Sequence, residues 1–158
     1  MFSKESLEDM RFVAALCKEW DIPLTVVEGD CLALAKQNGQ SVETAAREFR
    51  RAAYARMVDE KKADFIATAH HKNDEAETVL FRLIRGSSAE GLCGINHRRG
   101  NIIRPLLEVP RKDIEKYLRE NNISYVTDSS NLTPDYSRNK LRLNVFPELR
   151  EIFPDAEK

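Results

Sequence analysis

The segment HHKNDEAET, residues 70–78, brings two histidines and two carboxylates close together in the chain. If this segment opens a helix, Asp74 and Glu77 are three residues apart and project from one face of its first turn. Such a pair could bind the ammonium group of an amine substrate or assist proton transfer, and His70 and His71 could donate hydrogen bonds to phosphate. The alternative is that the acidic side chains only complement the positive end of the helix dipole.

The same four side chains could instead bind a metal ion, because imidazoles and carboxylates are common ligands. Two adjacent histidines at the end of a strand point in opposite directions, however, so they do not easily ligate one ion. We therefore expect hydrogen-bonding roles here and no metal ligand.

A second group of functional side chains is a row of arginines on a predicted helix. Arg47, Arg50, Arg51 and Tyr54 recur at helical spacing and share one face. Guanidinium groups bind phosphate oxygens and stack on bases, so the row could contact ATP or an RNA backbone. A solvated helix face, with nearby glutamates as ion-pair partners, is the alternative.

Charge is unevenly distributed along the chain, although the net charge is only -1. Residues 1–40 carry 4 basic and 7 acidic side chains, whereas residues 98–150 carry 11 basic and 7 acidic ones. Because phosphate contacts are made mostly by such cations, a tRNA-binding surface is a reasonable prediction, against an ordinary solvated surface. Eight of these eleven basic residues are the candidates for such a surface: Arg98, Arg99, Arg104, Arg111, Lys112, Arg138, Lys140 and Arg142.

Helices and strands alternate in the first part of the chain. Apolar periodicity and capping residues predict, in order, helix 7–17, strand 24–28, helix 42–57, strand 64–69 and helix 73–85. This order implies right-handed crossovers, so the predicted fold class is α/β, a partial parallel sheet with helices on both faces. Ligands of such sheets bind beyond the carboxyl ends of the strands, which is where residues 70–78 lie.

The pattern changes after Gly94. A short strand at residues 102–107, a helix opened by Pro110, a polar loop from Asp128, and a last helix at residues 139–152 follow. Pro147 should kink or restart that last helix. We predict an α/β domain at residues 1–96 and a small α+β extension with basic, tRNA-facing helices at residues 97–158.

Composition excludes several classes of protein. A chain of 158 residues with 42% hydrophobic and 32% charged residues is globular, and it has no signal peptide or spanning segment. The three cysteines form neither a disulfide pattern nor a C-x-x-C pair. We expect a cytoplasmic protein without membrane contact.

In their order along the chain, these segments resemble the tRNA(Ile)-lysidine synthase family, within the PP-loop ATP-pyrophosphatases. The resembling segments are Ser41 with Ala45-Ala46-Arg47 and Arg50, Ala69 to Asp74 with Glu77-Thr78, Arg85-Gly86, Gly91-Leu92 with Gly94, Arg104 to Leu107 with Arg111, Asp128 to Asn131, and Arg138-Asn139 with Arg142. The resemblance implies an adenine nucleotide alpha hydrolase-like fold. It also implies ligation of L-lysine to C2 of the first anticodon cytidine in an isoleucine tRNA with a CAU anticodon.

The resemblance also implies roles for particular residues. Asp74, Glu77 and Arg142 are expected at the catalytic site, with the two carboxylates holding the cationic groups of lysine. For ATP we expect contacts from Arg47, Arg50 and His71. For Arg104, Arg111 and Arg138 we expect contacts with tRNA or structural contacts within the protein. Mg²⁺ is expected with ATP because it neutralises phosphate charge.

The chain also departs from the family pattern. The family often has Asp, Gln and Tyr where Asn73, Glu75 and Arg51 stand, and its phosphate loop, Ser-Gly-Gly-x-Asp-Ser, does not occur in the sequence. Backbone N–H groups of such a loop bind phosphate, so we expect the chain alone to be inactive. Without the strand that precedes the loop, the sheet has an exposed edge, which favours either association, for example as a homodimer, or partial disorder.

Two other functions fit parts of the sequence. A tRNA thiolase would adenylate a base in the same way, but Cys17, Cys31 and Cys93 do not obviously supply a catalytic pair or iron-sulfur ligands. A non-catalytic fragment that binds RNA or a partner through its basic extension is the other alternative.

Overall fold

A computed structural model of the chain describes residues 4–127, 137–154 and 156. The chain divides into two compact units, Met1–Asp64 and Phe65–Lys158. The predicted domain boundary after residue 96 stays a prediction. The resembling segment Asp128 to Asn131 lies outside the described residues.

The first unit contains three helices: α1 (Lys4–Glu19), α2 (Cys31–Asn38) and α3 (Val42–Asp59). As predicted, Ser41 caps α3, since its Oγ accepts a hydrogen bond of 3.1 Å from the Thr44 backbone N–H. Ala35 of α2 and Ala45 of α3 are 4% and 2% exposed. Small side chains therefore allow the two helices to approach closely.

The predicted strand at residues 24–28 is wrong, and the helix that follows it was not predicted. Residues 22–30 have neither helical nor strand structure, and Leu24, Val26 and Val27 are 43–50% exposed. An apolar run becomes a strand only beside a partner strand, and none pairs with it among the described residues. Asp30 is the N-cap of α2, and its carboxylate accepts a hydrogen bond of 3.0 Å from the Ala33 backbone N–H.

The second unit contains a small sheet with the strand order β1-β3-β2. Its strands are β1 (Ile66–Ala67), β2 (Arg98–Arg99) and β3 (Ile102–Ile103). β1 runs parallel to β3, and β2 is antiparallel to β3. The parallel pairing predicted from the sequence joined the strands at residues 24–28 and 64–69, whereas the strand at residues 102–107 was assigned to the extension, so the pairing of β1 with β3 was not predicted. The fold is α/β, with a mixed sheet because the unpredicted β2 forms a hairpin with β3.

Two helices follow strands in this unit: α4 (Lys72–Ile84) and α5 (Arg111–Glu120). α4 begins within two residues of its predicted start and ends before Gly86, whose φ of 75° is typical of the position after a helix. A short 3-10 helix, Ala89–Cys93, follows α4. The backbone N–H of Lys72 donates to Val109 O at 3.1 Å, so the start of α4 is tied to the loop that leads into α5.

The last helical segment consists of α6 (Ser137–Lys140), a π-helical turn (Leu141–Val145) and α7 (Phe146–Ile152). Pro147, in the first turn of α7, lacks an N–H and its ring clashes with the carbonyl four residues earlier, which explains the wider turn before it. The predicted interruption at Pro147 is confirmed. Phe146 N donates to Leu141 O, a bond that spans five residues.

The π-helical turn has a direct effect on packing. On a regular α-helix, two side chains five residues apart diverge by about 140°. Leu141 and Phe146 are nevertheless 7% and 2% exposed, because the wider turn brings them toward one face. Within the described residues, no helix combines the length and apolar character needed to cross a membrane.

Candidate active site

The amino terminus of α4 is closed by its own side chains. His71 is the N-cap, and its Nδ1 lies 3.3 Å from the Asp74 backbone N–H, while Asp74 Oδ2 accepts from His71 N at 3.0 Å. This reciprocal pair is a capping box in which a histidine replaces the usual serine or threonine. When Nδ1 accepts the hydrogen bond, the imidazole proton lies on Nε2, which is then able to donate to a ligand.

Glu77 and Arg142 form a bidentate ion pair one turn further along α4. Arg142 Nε donates to Glu77 Oε1 at 2.6 Å, and Nη2 donates to Oε2 at 2.9 Å. Glu77 is only 3% exposed, so this guanidinium compensates a buried charge. Its hydrogen bond to Glu77 raises the pKa of Arg142 above the usual range, and the nearby Asp74 acts in the same direction.

The position of Arg142 depends on the irregular helix that carries it. Arg142 is the second residue of the π-helical turn, and such turns occur frequently at functional sites. Its Nη2 also lies 3.8 Å from Asp74 Oδ1, which is an ion-pair distance but longer than a hydrogen bond. The structure thus brings together Asp74, Glu77 and Arg142, the three residues predicted for the catalytic site.

His70 lies beside this cluster, at the end of the segment that follows β1. Its Nδ1 is 2.9 Å from Thr68 Oγ1. Partial burial lowers the pKa of His70, and the positive charges of Arg104 and Arg138 act in the same direction, whereas Asp74 opposes them. The neutral imidazole is therefore favoured, and Arg104 and Arg138 contribute to the field at this site.

The three arginines predicted to contact tRNA have different surroundings. Arg138 is exposed. Arg104 Nη1 donates to Asn96 O at 2.6 Å, and Arg104 Nε is buried and has no hydrogen-bond partner among the described residues. The Arg111 side chain pairs with Glu115 at 2.8 Å on the surface of α5. Arg138 is thus accessible to a ligand, whereas part of the Arg104 guanidinium is bound to the backbone.

Asn73 joins the starts of two helices. Its Oδ1 accepts a hydrogen bond of 2.9 Å from the backbone N–H of Arg111. A carboxylate at position 73 would accept the same bond, so the departure from the family pattern at this residue preserves the contact.

Arg47 and Arg50 lie in the first unit, on the exposed face of α3. Within the described part of the chain neither side chain has an ion pair or a hydrogen bond. Glu48, considered from the sequence as a partner, accepts a hydrogen bond from Gln40 Nε2 at 3.1 Å instead. The two guanidinium groups are therefore available to an anionic ligand.

The loop after α4 is held by three residues to which the sequence analysis gave no structural role: Glu75, Arg82 and Gly94. Glu75 Oε2 accepts from Ile95 N at 2.6 Å, and Arg82 Nη1 donates to Gly91 O at 2.8 Å and to Gly94 O at 2.6 Å. Gly94 has a φ of 68°, and a Cβ atom there would overlap the Glu75 carboxylate. The signal in the sequence is the seven-residue spacing of Glu75 and Arg82, which places both on one helix face.

In the part of the chain that the structure describes, no three His, Cys, Asp or Glu side chains are grouped so that they could hold a metal ion. The site consists of charge pairs and a histidine-capped helix that follows a strand in parallel pairing. This is the position at which α/β folds bind ligands.

Comparison with known protein families identifies the family of the chain. A family model described as a PP-loop domain matches residues 1–149, and the chain therefore belongs to the PP-loop family of ATP-binding domains. This match does not confirm the predicted lack of the phosphate loop.

Curated relatives of the chain are tRNA(Ile)-lysidine synthases. The protein of Bacteroides thetaiotaomicron is 43% identical over 154 residues, which are 98% of this chain and 36% of that protein. The protein of Thermotoga maritima is 41% identical over 154 residues, again 98% of this chain and 37% of the relative. The chain thus spans little more than a third of the length of these two relatives.

A solved structure shares the fold. The U34-tRNA thiolase NcsA from Methanococcus maripaludis, solved with its [4Fe-4S] cluster, superposes with a TM-score of 0.72 at 20% identity. The superposition covers 96% of this chain and 53% of that chain. This likeness supports the adenine nucleotide alpha hydrolase-like fold.

Proposed function

We propose that the chain is the catalytic part of a tRNA(Ile)-lysidine synthase. The reaction is ATP-dependent ligation of L-lysine to C2 of the first anticodon cytidine in an isoleucine tRNA with a CAU anticodon. The observation that carries the proposal is the cluster of Asp74, Glu77 and Arg142 at the start of α4. Identity of about 40% to lysidine synthases over nearly the whole chain supports it.

The chemistry requires two consecutive steps. The C2 oxygen of cytidine attacks the α-phosphorus of ATP, and pyrophosphate leaves. An amino group of lysine then attacks C2, AMP leaves with the oxygen, and the amine loses a proton. The protein must therefore hold a cationic amino acid close to the adenylated base and stabilise the phosphate charge that leaves.

Asp74 is the group that receives lysine in this proposal. Its Oδ2 is used by the helix cap, whereas Oδ1 is 3.8 Å from Arg142 and keeps hydrogen-bonding capacity for an ammonium group. Both oxygens of Glu77 accept from Arg142, so Glu77 fixes that guanidinium beside Asp74. Arg142 in turn supplies positive charge for the lysine carboxylate or for phosphate.

Phosphate and RNA contacts are assigned to the remaining cations. Arg47, Arg50 and the Nε2 of His71 bind ATP, and Mg²⁺ accompanies the ATP phosphates with much of its own water. Arg138 contacts tRNA, with Arg104 and Arg111 supporting the backbone around it. The proposed setting is cytoplasmic, and turnover requires a phosphate loop of the family type in addition to the residues described. A homodimer through a sheet edge remains part of the proposal.

Asp74→Asn tests the proposal in a version of the chain that carries the family phosphate loop. Asparagine retains the oxygen that accepts from His71 N, so the helix cap survives while the charge is removed. We expect lysine transfer to fall by about 100-fold or more, as for loss of a group that acts in the transition state, while tRNA binding is retained. Transfer of radiolabelled lysine to tRNA measures the first quantity.

Asp113→Asn is the matched control. Asp113 lies in the first turn of α5, so its replacement also removes one acidic charge from a helix amino terminus. If Asp74→Asn transfers lysine at the rate of this control, Asp74 does not belong to the site.

A tRNA thiolase is the second candidate, favoured by the fold shared with the NcsA thiolase. It would form the same adenylated base but deliver sulfur. The sequence has three cysteines and no C-x-x-C pair. Incorporation of sulfur rather than lysine into tRNA would establish this function. Salt-dependent tRNA binding without affinity for ATP or lysine would indicate a non-catalytic fragment instead.

A further inference from the structure

A groove of about 620 Å³ lies beside the start of α4, within the second unit. Lys72, the first residue of α4, forms one wall, and Asn96, His97 and Arg98 of the segment leading into β2 form another. Lys72 directly follows His71, which caps the helix through Asp74. The groove is therefore adjacent to the site proposed for the cytidine.

Two cations line the groove. The Lys72 ammonium and the Arg98 guanidinium have no ion-pair partner among the described residues. Arg98 donates from Nε to Gly100 O at 3.0 Å, and its guanidinium lies 4.9 Å from the centre of the Phe65 ring. Phe65 is 47% exposed, so this stack lies at the protein surface with both Nη groups of Arg98 available.

The acidic groups of the groove already accept hydrogen bonds. Glu75 Oε2 accepts from Ile95 N at 2.6 Å, and Glu108 Oε1 lies 3.1 Å from His97 Nε2. The floor includes Ile95 and Leu107, of which Leu107 is 4% exposed. The groove thus combines an apolar surface, which suits the face of a base, with unpaired cations at its rim, which suit phosphates.

The occupant that fits best is a nucleotide within a strand. A free nucleoside triphosphate concentrates its charge in one place and is bound by converging backbone N–H groups at a helix amino terminus. At the start of α4 those groups are used by the His71 cap and by Asp74. The cations available here are instead side chains spread along the groove, as expected for successive backbone phosphates.

We propose that this groove binds the tRNA nucleotide next to the modified cytidine. Its base lies on Ile95, and Lys72 and Arg98 hold the phosphates on either side of it. The inference rests on the proposed function, because it takes the cluster of Asp74, Glu77 and Arg142 as the site of the cytidine.

The double substitution Lys72→Ala and Arg98→Ala tests the groove. The probe is a fluorescent anticodon stem-loop of isoleucine tRNA, titrated with the chain at salt concentrations from about 50 to 200 mM. We expect about tenfold weaker binding. Because each phosphate contact with a single strand contributes about 0.7, the slope of log K against log salt should fall in magnitude by about 1.4.

The control is Lys116→Ala with Arg119→Ala, two exposed residues of α5 whose replacement removes the same charge. Equal salt slopes in the two double variants would overturn the groove as an RNA site. Weaker ATP binding by the variant with Lys72→Ala and Arg98→Ala, with unchanged RNA affinity, would also overturn it and assign the groove to a free nucleotide. If the unaltered chain binds no stem-loop and the version with a phosphate loop transfers no lysine, the proposed function itself fails.

Discussion

The start of α4 and the exposed face of α3 both carry charged residues of the proposed site, but the two regions differ in whether these charges are buried in ion pairs. At α4, Asp74, Glu77 and Arg142 are paired, and the Glu77 carboxylate is buried. On α3, Arg47 and Arg50 are exposed and have no ion-pair partner among the described residues. The charged groups at α4 are therefore held by contacts within the fold, whereas the two arginines of α3 are accessible to an anion.

This difference predicts how far function and stability can be separated. A buried charge that loses its partner is strongly destabilising, so substitutions at α4 affect folding as well as ligand binding. An exposed arginine without a partner contributes little to folding, so substitutions on α3 affect ligand binding alone. Three measurements test the contrast, in descending order of the expected effect on stability.

Arg142→Ala should have the largest effect. It leaves Glu77, which is 3% exposed, without its bidentate partner, and we expect a loss of about 3 kcal/mol in the free energy of unfolding. Urea denaturation measures this loss. Arg111→Ala is the control, because its pair with Glu115 is more exposed and should contribute less than about 1 kcal/mol. If both variants lose a similar small amount of unfolding free energy, the pair of Arg142 with Glu77 does not stabilise the fold as a buried ion pair.

His70→Asn should have a smaller, pH-dependent effect. Burial lowers the pKa of His70 below its value of 6.5 in the unfolded chain, so below pH 6.5 the unfolded state binds more protons than the folded state. The free energy of unfolding should therefore fall as the pH is lowered from 7 toward 5. It should fall less steeply in the His70→Asn variant. Urea unfolding at several pH values measures both slopes, with His97→Asn, which removes an exposed imidazole, as the control. Parallel curves for the original chain and His70→Asn would contradict the effect of burial.

Arg47→Ala combined with Arg50→Ala should have the smallest effect on folding. We expect the free energy of unfolding to stay within about 0.5 kcal/mol, as for surface substitutions without partners. Calorimetric titration with ATP and Mg²⁺, in a version that carries the phosphate loop, should show weaker binding. Arg56→Ala, on the same helix, is the control for charge. Loss of stability without loss of ATP affinity would reverse the contrast between the two regions.

The parts of the fold that depend on local sequence could be predicted. Helices α3 and α4 begin at capping residues and follow an apolar period, so their bounds were predicted to within a few residues. The strand at residues 24–28 was predicted incorrectly, because the apolar pattern of a short run does not reveal whether a partner strand lies beside it. Strand β2 was missed because its two arginines have no apolar pattern, and they form a strand only through pairing with β3.

The candidate site was predictable in its members but not in its connections. The resemblance assigns Asp74, Glu77 and Arg142 to one site, and the structure brings their side chains together. Nothing local in the sequence indicates that Arg142 takes both oxygens of Glu77, since that contact depends on how a distant helix packs. The roles of these residues in catalysis stay predictions, as do those of Arg47 and Arg50.

The π-helical turn at Leu141–Val145 makes this segment tolerant of one change in its length. A wide turn of this kind corresponds to one residue inserted into an α-helix. Deleting a single residue such as Asn144 would leave Leu141 and Phe146 four residues apart, and side chains four residues apart on a regular α-helix diverge by only about 40°. Leu141 and Phe146 would therefore still share a buried face, and Arg142, next to Leu141, would keep its direction relative to that face. The same deletion in a regular helix would rotate one side of the helix by about 100° relative to the other, so the loss of one codon is more tolerable here than in a regular helix.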